Sequence, residues 1–369
     1  MIARAWVPLA EAATLAAALG PGPFAAVLVF AAPEADLSAL ARLDLGGPLI
    51  GCTTAGELAP GGYAEGGILA MGLPARDFEA EILAIDDLGR IDREALIGDL
   101  VRARAALTAR QPDWPSEFAF LMVDGLSVRE DELAAALSAG LGPVPLFGGS
   151  AADGTRFLAA HVLQGGRVAR DAAVLLLVRA RGRVRVFSLD HLRPTGLRMV
   201  VTEADPARRI VRRINAEPAA PEYARLLGKD PGQLDSFTFA AHPVAVRLGG
   251  RHHVRAIREV KANGDLVFFS AIDEGLVLSL AEPMDMVAHL SAELEGLGGP
   301  AAILACDCIL RRMEAQEKQL TPAISALLRR HGVVGFSTYG EQLNGLHVNQ
   351  TMTGVAFYPA EAPLGGGAA

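Results

Sequence analysis

Three stretches of the 369-residue chain gather glycine, hydroxyl and acidic residues closely enough to do chemistry. They read Gly51-Cys52-Thr53-Thr54-Ala55-Gly56-Glu57, Gly148-Gly149-Ser150-Ala151-Ala152-Asp153-Gly154 and Gly335-Phe336-Ser337-Thr338-Tyr339-Gly340-Glu341. Glycine permits positive φ and close backbone approach, and Ser, Thr and acidic side chains answer exposed amides, so each stretch reads as a polar turn that could cradle a small ligand. The acids Glu57, Asp153 and Glu341 stand at matching places. If they converge, they would hold a cation or the amine of a ligand; if they do not, each caps its own turn. The candidate pocket residues are therefore Gly51, Thr53, Thr54, Glu57, Gly148, Gly149, Ser150, Asp153, Gly335, Ser337, Thr338, Tyr339 and Glu341.

Other chemistries are less well supported. The pattern Gly-x-Ser/Thr-x-x-Gly misses the Gly-x-Ser-x-Gly nucleophile elbow by one residue and lacks the lysine of a phosphate loop. No catalytic motif is matched, and Cys52 alone keeps a hydrolase or transferase alternative open. Cys306 and Cys308 are two apart on an expected strand and so share a face. With only Cys52 beside them they do not complete a tetrahedral metal set, and they read as packed or redox-responsive thiols. Among eight histidines, two are candidate metal ligands. His347 lies between glycine-bearing turns and the final strand, and His242 precedes Pro243, which holds it extended. The alternative for each is a hydrogen-bonded loop residue. His161, His191, His289 and His331 have no motif around them and are expected at the surface or at helix ends.

The elements that must position these residues repeat. Before each glycine stretch comes a short apolar run, and before that a strand (25–30, 118–123 and 301–305) and a helical segment, giving a β-α-β-turn unit. The first two stretches are about one hundred residues apart and the last two nearly twice that, which predicts a fourth, eroded copy near residues 235–250. A helix is expected over 8–19, and another over 93–108 with Leu96, Leu100 and Val101 inward. Ser127 and Glu130 are spaced as a capping box, and Asn263-Gly264 as a hairpin turn. The breaker cluster Leu192-Arg193-Pro194-Thr195-Gly196 marks a domain boundary. The expected fold is mixed α/β, two related domains (1–191 and 192–360) of mixed sheets flanked by helices, then a disordered glycine-alanine tail over 361–369.

Composition sets limits on partners. With 51% hydrophobic and 21% charged residues the chain is globular, and its net charge of −8 disfavours nucleic acid. The cluster Arg208, Arg209, Arg212, Arg213 reads as a solvated face. No apolar run approaches the ~18 residues of a membrane span. Gly20-Pro21-Gly22-Pro23 interrupts any export signal, and an odd cysteine count argues against a disulfide framework, so the expected location is cytoplasmic.

These residues resemble a known family. Gly51 through Glu57, Asp124-Gly125 and Phe147 through Asp153 resemble the N-terminal half of FIST-domain sensory proteins. His242-Pro243, Val254-Arg255, Asp273-Glu274-Gly275, Cys306 through Arg311 and Gly335 through Thr351 resemble the C-terminal half. The longest piece, Tyr339 through Thr351, is similar to a haem-binding, nitric-oxide-sensing subset, although His252-His253 stand where aromatic residues are expected. The resemblance implies a cytoplasmic input module, not a catalyst, that regulates a partner histidine kinase or cyclic-di-GMP enzyme. It implies haem iron on His347, with His242 second, and adds Arg255 and Asn349 to the pocket. A sensor of a small metabolite such as an amino acid is the alternative, and self-association is left open.

Overall fold

The computed structural model describes residues 2–248 and 251–359, so the expected tail over 361–369 lies outside the described residues. Three β-α-β units form its main body. Phe24–Ala31 runs parallel to Leu49–Thr53, Ser116–Asp124 to Leu146–Ala151, and Ala302–Cys308 to Val333–Thr338. Gly51 pairs with Val29, Gly148 with Leu121 and Gly335 with Ala305, the same register each time. A Cβ on these glycines would lie 2.2, 2.3 and 1.8 Å from the partner's carbonyl oxygen. The glycines thus sit inside strands, not in the turns the sequence suggested. What demands them is the close approach of two parallel backbones, and at Gly335 also a φ of +152°.

Each parallel pair is completed in the same way. An antiparallel strand flanks it (Gly67–Pro74, Ala173–Ala180, Met352–Phe357), and outside that lies an edge strand (Ala3–Pro8, Phe78–Ile85, Val184–Leu189). On the other side a hairpin arrives from a different unit. The hairpin Glu57–Ala59/Gly62–Ala64 of the first unit joins the third sheet, pairing Leu58 with Gly335. The third unit's hairpin, Glu341–Leu343/Leu346–Val348, joins the second sheet, pairing Gln342 with Gly148. The second unit's hairpin, Val162–Gln164/Arg167–Ala169, joins the first, pairing Leu163 with Gly51. The exchange is cyclic and closes on itself.

Period-two alternation sends one set of strand residues inward and the other toward helices. Leu28, Phe30, Phe120, Met122, Leu304, Cys306 and Phe336 meet in one central core, where the Phe30 and Phe336 rings stack at 4.5 Å. The outward residues pack under helices: Val29 under Leu15–Leu19, Leu121 under Arg93–Arg110 and Glu130–Leu141, and Ala305 under Met286–Glu295 and Thr321–Arg330. Some local expectations change. The helix expected over 8–19 splits into a 3-10 turn, Leu9–Thr14, and the short helix Leu15–Leu19, because Glu11 leaves helical φ/ψ. On Arg93–Arg110, Leu96, Leu100 and Leu107 are buried while Val101 is exposed. No capping box forms at Ser127, because Glu130 instead pairs with Arg209.

The second domain is an antiparallel sheet that enters at Leu192–Asp205 and leaves at Val277–Pro283. Met199, Val201, Tyr223, Phe239, Phe268 and Leu278 form its own core. The predicted fourth copy is absent among the described residues. Val244–Leu248 there is a hairpin strand with antiparallel neighbours on both sides. The long interval before the third glycine stretch is therefore one repeat plus an insertion of similar length. The insertion docks on the body through polar contacts: the Arg209–Glu130 ion pair, Arg255 Nη1 to His347 O at 2.9 Å, and Ser270 Oγ to Asn349 Oδ1 at 2.7 Å. Arg209 is thus buried, not part of a solvated face, while Arg212 and Arg213 pair with Glu203.

Candidate functional site

The turns after the three glycine strands meet at the C-terminal ends of the parallel pairs. Backbone hydrogen bonds join them in a ring. Ala55 N reaches Ser337 O at 2.9 Å, Tyr339 N reaches Ser150 O at 3.3 Å, and Ala152 N reaches Thr53 O at 3.0 Å. Beside this ring, between the first and second turns and the helix Ile309–Glu317, opens a cleft of about 490 Å³. The carboxyl ends of parallel strands are where open α/β sheets place their ligands, because loops diverge there.

Of the residues singled out in the sequence, Thr54, Glu57 and Asp153 line this cleft. Ser337 lies next to it and accepts a hydrogen bond from Arg312 Nη1 at 3.3 Å. Gly51, Gly148, Gly149, Gly335, Thr53 and Ser150 lie within the buried strands. Tyr339 holds the cleft's second wall in place. Its hydroxyl donates to the Asp153 carboxylate and accepts from the N–H groups of Asp153 and Phe157, and its ring stacks on Phe157 at 4.4 Å. Thr338, Glu341, Asn349 and Arg255 take up partners elsewhere.

The three acids do not converge. Asp153 Oδ2 accepts from Leu158 N and Ala159 N, both at 2.9 Å, so Asp153 organises its own loop. Glu341 is sealed away, accepting from Thr338 Oγ1 at one oxygen and from Thr351 Oγ1 at 2.6 Å at the other, and burial pushes its carboxyl up to about 8. Glu57 repeats the Thr-x-x-Glu bond, accepting from Thr54 Oγ1 at 2.8 Å. It differs in its second oxygen, which meets no hydroxyl and is fully buried with the Trp6 indole and the Gly67 amide as its polar neighbours. Burial pushes Glu57 up to about 7, against the pull of Thr54, Trp6 and Arg312. Among the described residues no three His, Cys, Asp or Glu side chains form a metal-binding group.

Sequence reasoning missed the rest of the cleft. Ile309, Arg312, Met313 and Gln316 recur at helical spacing and present one face of Ile309–Glu317 to it. The spacing was readable, but which way that face points depends on the fold. Arg312 is buried, with Nη2 donating to Ala64 O at 2.9 Å and to Glu65 at 3.0 Å. Arg156 and Glu34, also in the lining, pair at 3.0 Å. The two arginines are thus matched by Glu34 and Glu65, which leaves the cleft an acidic excess carried by Asp153 and, above about pH 7, by Glu57.

Residues 25–217 match the FIST N domain and residues 219–344 the FIST C domain. The chain belongs to the FIST family. FIST domains are sensor domains of signal transduction that bind small ligands. No curated protein matches this FIST chain. No helix among its described residues is long and apolar enough to cross a membrane.

The histidines and cysteines of this FIST protein are placed as follows. His347 is buried in Leu346–Val348, with its Nδ1 3.6 Å from Asp131 Oδ2, beyond hydrogen-bonding reach. Its Nε2 abuts the Gly340 backbone, so that a Cβ there would lie 2.1 Å away. Both ring nitrogens are buried without a hydrogen bond, and His347 is not among the residues lining the cleft. His242 ends the helix Ser236–Ala241 in the inserted domain. His191, expected at the surface, is fully buried between Arg311 and Glu314. Cys52, Cys306 and Cys308 are all buried, and burial pushes each thiol well above its ordinary value. A buried neutral thiol is a poor nucleophile.

Proposed function

We propose that this FIST protein senses a small metabolite carrying a protonated amine, with an amino acid as the class in view, and binds it in the cleft beside the first and second turns. The observation that carries the reading is the clustering of four carboxyl residues, Glu34, Glu57, Glu65 and Asp153, against two arginines in one cleft lining, with Glu57 held buried at its wall. An ammonium group would form charge-assisted hydrogen bonds with these carboxylates.

Binding is then linked to protons. Below about pH 7 free Glu57 is protonated. Holding an ammonium requires the carboxylate, so binding expels a proton and affinity rises with pH, up to about tenfold per pH unit, before levelling off above 7. Titration calorimetry of haem-free protein with the proteinogenic amino acids and simple diamines, at pH 5.5 and 8, tests this. Binding that strengthens at pH 8 and loses its pH dependence in Glu57→Gln is the expected result. No heat from any amine at either pH would count against the reading.

The finer reading from the resemblance is a haem-based nitric oxide sensor using His347, with output through a partner histidine kinase or cyclic-di-GMP enzyme. The amine reading leaves that output unchanged but moves the input away from His347. An absorption spectrum of protein supplied with haem, reduced and exposed to nitric oxide, separates them. Weak absorption that is indifferent to His347→Ala fits the amine reading; a sharp Soret band that shifts with nitric oxide and is lost in the variant restores the haem reading.

A further inference from the structure

The helix Ile309–Glu317 has a second working face. While Ile309, Arg312, Met313 and Gln316 line the cleft, Arg311 and Glu314 turn the other way and grip His191 at both ring nitrogens. Arg311 Nη1 lies 2.8 Å from His191 Nδ1, and His191 Nε2 lies 2.8 Å from Glu314 Oε2. A guanidinium can only donate, so Nδ1 accepts, and the ring proton sits on Nε2 and is given to Glu314. Arg311 is anchored in turn to Asp307 Oδ1 at 2.8 Å, and Glu314 to Lys318 at 2.6 Å. Arg311, His191, Glu314 and Asp307 are all buried.

His191 is the last residue before the inserted domain begins at Leu192. Its carbonyl accepts from Met284 N at 2.7 Å, the first residue after that domain's outgoing strand. The two chain crossings between the domains are therefore tied together at the residue that the cleft helix holds. The helix Ser236–Ala241 of the inserted domain also packs against Ile309–Glu317.

We propose that His191 is a positioning residue that couples occupancy of the cleft to the seating of the inserted antiparallel domain. A ligand that draws on Arg312, Met313 or Gln316 shifts the helix as a rigid rod. Arg311 and Glu314 move with it, and the imidazole carries the shift to the paired roots of the inserted sheet. A buried, directional pair of hydrogen bonds transmits a small displacement well, because neither partner can be exchanged for water. The inference rests on the cleft being the sensing site, but its test needs no natural ligand.

Gln316 is exposed and cleft-lining, and the three native cysteines are buried, so Gln316→Cys in the full chain gives one reactive thiol. A fluorescent maleimide attached there occupies the cleft and loads the helix. Hydrogen exchange compares labelled with unlabelled protein. The expected result is a change of about fivefold or more in exchange over 192–199 and 277–284. That response is lost when His191→Gln or, should that variant fail to fold, Glu314→Gln is added, while labelling remains complete. A change confined to 54–57 and 153–157, or an inserted-domain response that persists in both variants, overturns the proposal. A failure of every amine to bind would leave this result standing and remove only the ligand assignment.

Discussion

Two glutamates with the same local sequence behave differently, and the difference lies in one oxygen. Glu57 and Glu341 each close a Thr-x-x-Glu bond, at Thr54 and Thr338. That capping was legible, since the spacing places a hydroxyl and a carboxylate across one turn. Which of the two has its second oxygen bound by another hydroxyl was not, because the second partner of Glu341, Thr351, is ten residues away across a hairpin. The shared burial has a further effect. A carboxyl raised in the folded state favours the protonated fold, so its contribution is full below the unfolded value and is lost as pH climbs through the folded one. For Glu341 the window runs from about 4.5 to about 8. Wild-type protein should lose several degrees of thermal stability between pH 5 and 8.5, and Glu341→Gln should flatten that decline. Calorimetric scans across that range check it; an equally steep decline in the variant would mean the carboxyl is not buried as described.

At the level of elements, the sequence revealed the three repeats but misplaced their glycines. Apolar run, glycine, hydroxyl and acid read naturally as strand then turn, and nothing local shows that a parallel partner crowds the first glycine of each set. The structure ties the requirement to Gly51, Gly148 and Gly335 alike. Gly335→Ala should therefore be severely destabilising, by more than about 3 kcal/mol, since a methyl meets the Ala305 carbonyl at a strained φ. Gly61→Ala, where an added Cβ meets nothing within 4 Å, should fall within about 0.5 kcal/mol of wild type. Urea unfolding of the two measures the contrast, and comparable losses would place the first glycine's role outside the strand pair. The phantom fourth copy teaches the same lesson, because spacing alone could not distinguish a decayed repeat from an insertion about one repeat long.

Taken whole, the mixed α/β class with helices outside the sheets was readable from alternation and helical periodicity, whereas the pairing of strands was not. Hairpin partners lie far apart in sequence, Glu57 with Phe336 being the widest, and local pattern carries no information about them. Because each sheet needs a hairpin from another unit, the body should unfold as one. Phe336→Ala removes a third-unit ring that stacks on first-unit Phe30 and should cost about 3–5 kcal/mol. Variants keeping only Trp6 in the first unit, or only Trp114 in the second, should report the same shifted midpoint; separate midpoints would show that the units fold independently. The cyclic hairpin exchange also bears on origins. A single unit standing alone would have a sheet with a vacant edge and a hairpin with nowhere to pair, and two further copies would satisfy both at once. The body is thus arranged like a fused, strand-swapped trimer, in which chain connectivity stands in for threefold symmetry and the antiparallel domain is inserted within the third unit, between its edge strand and its first helix.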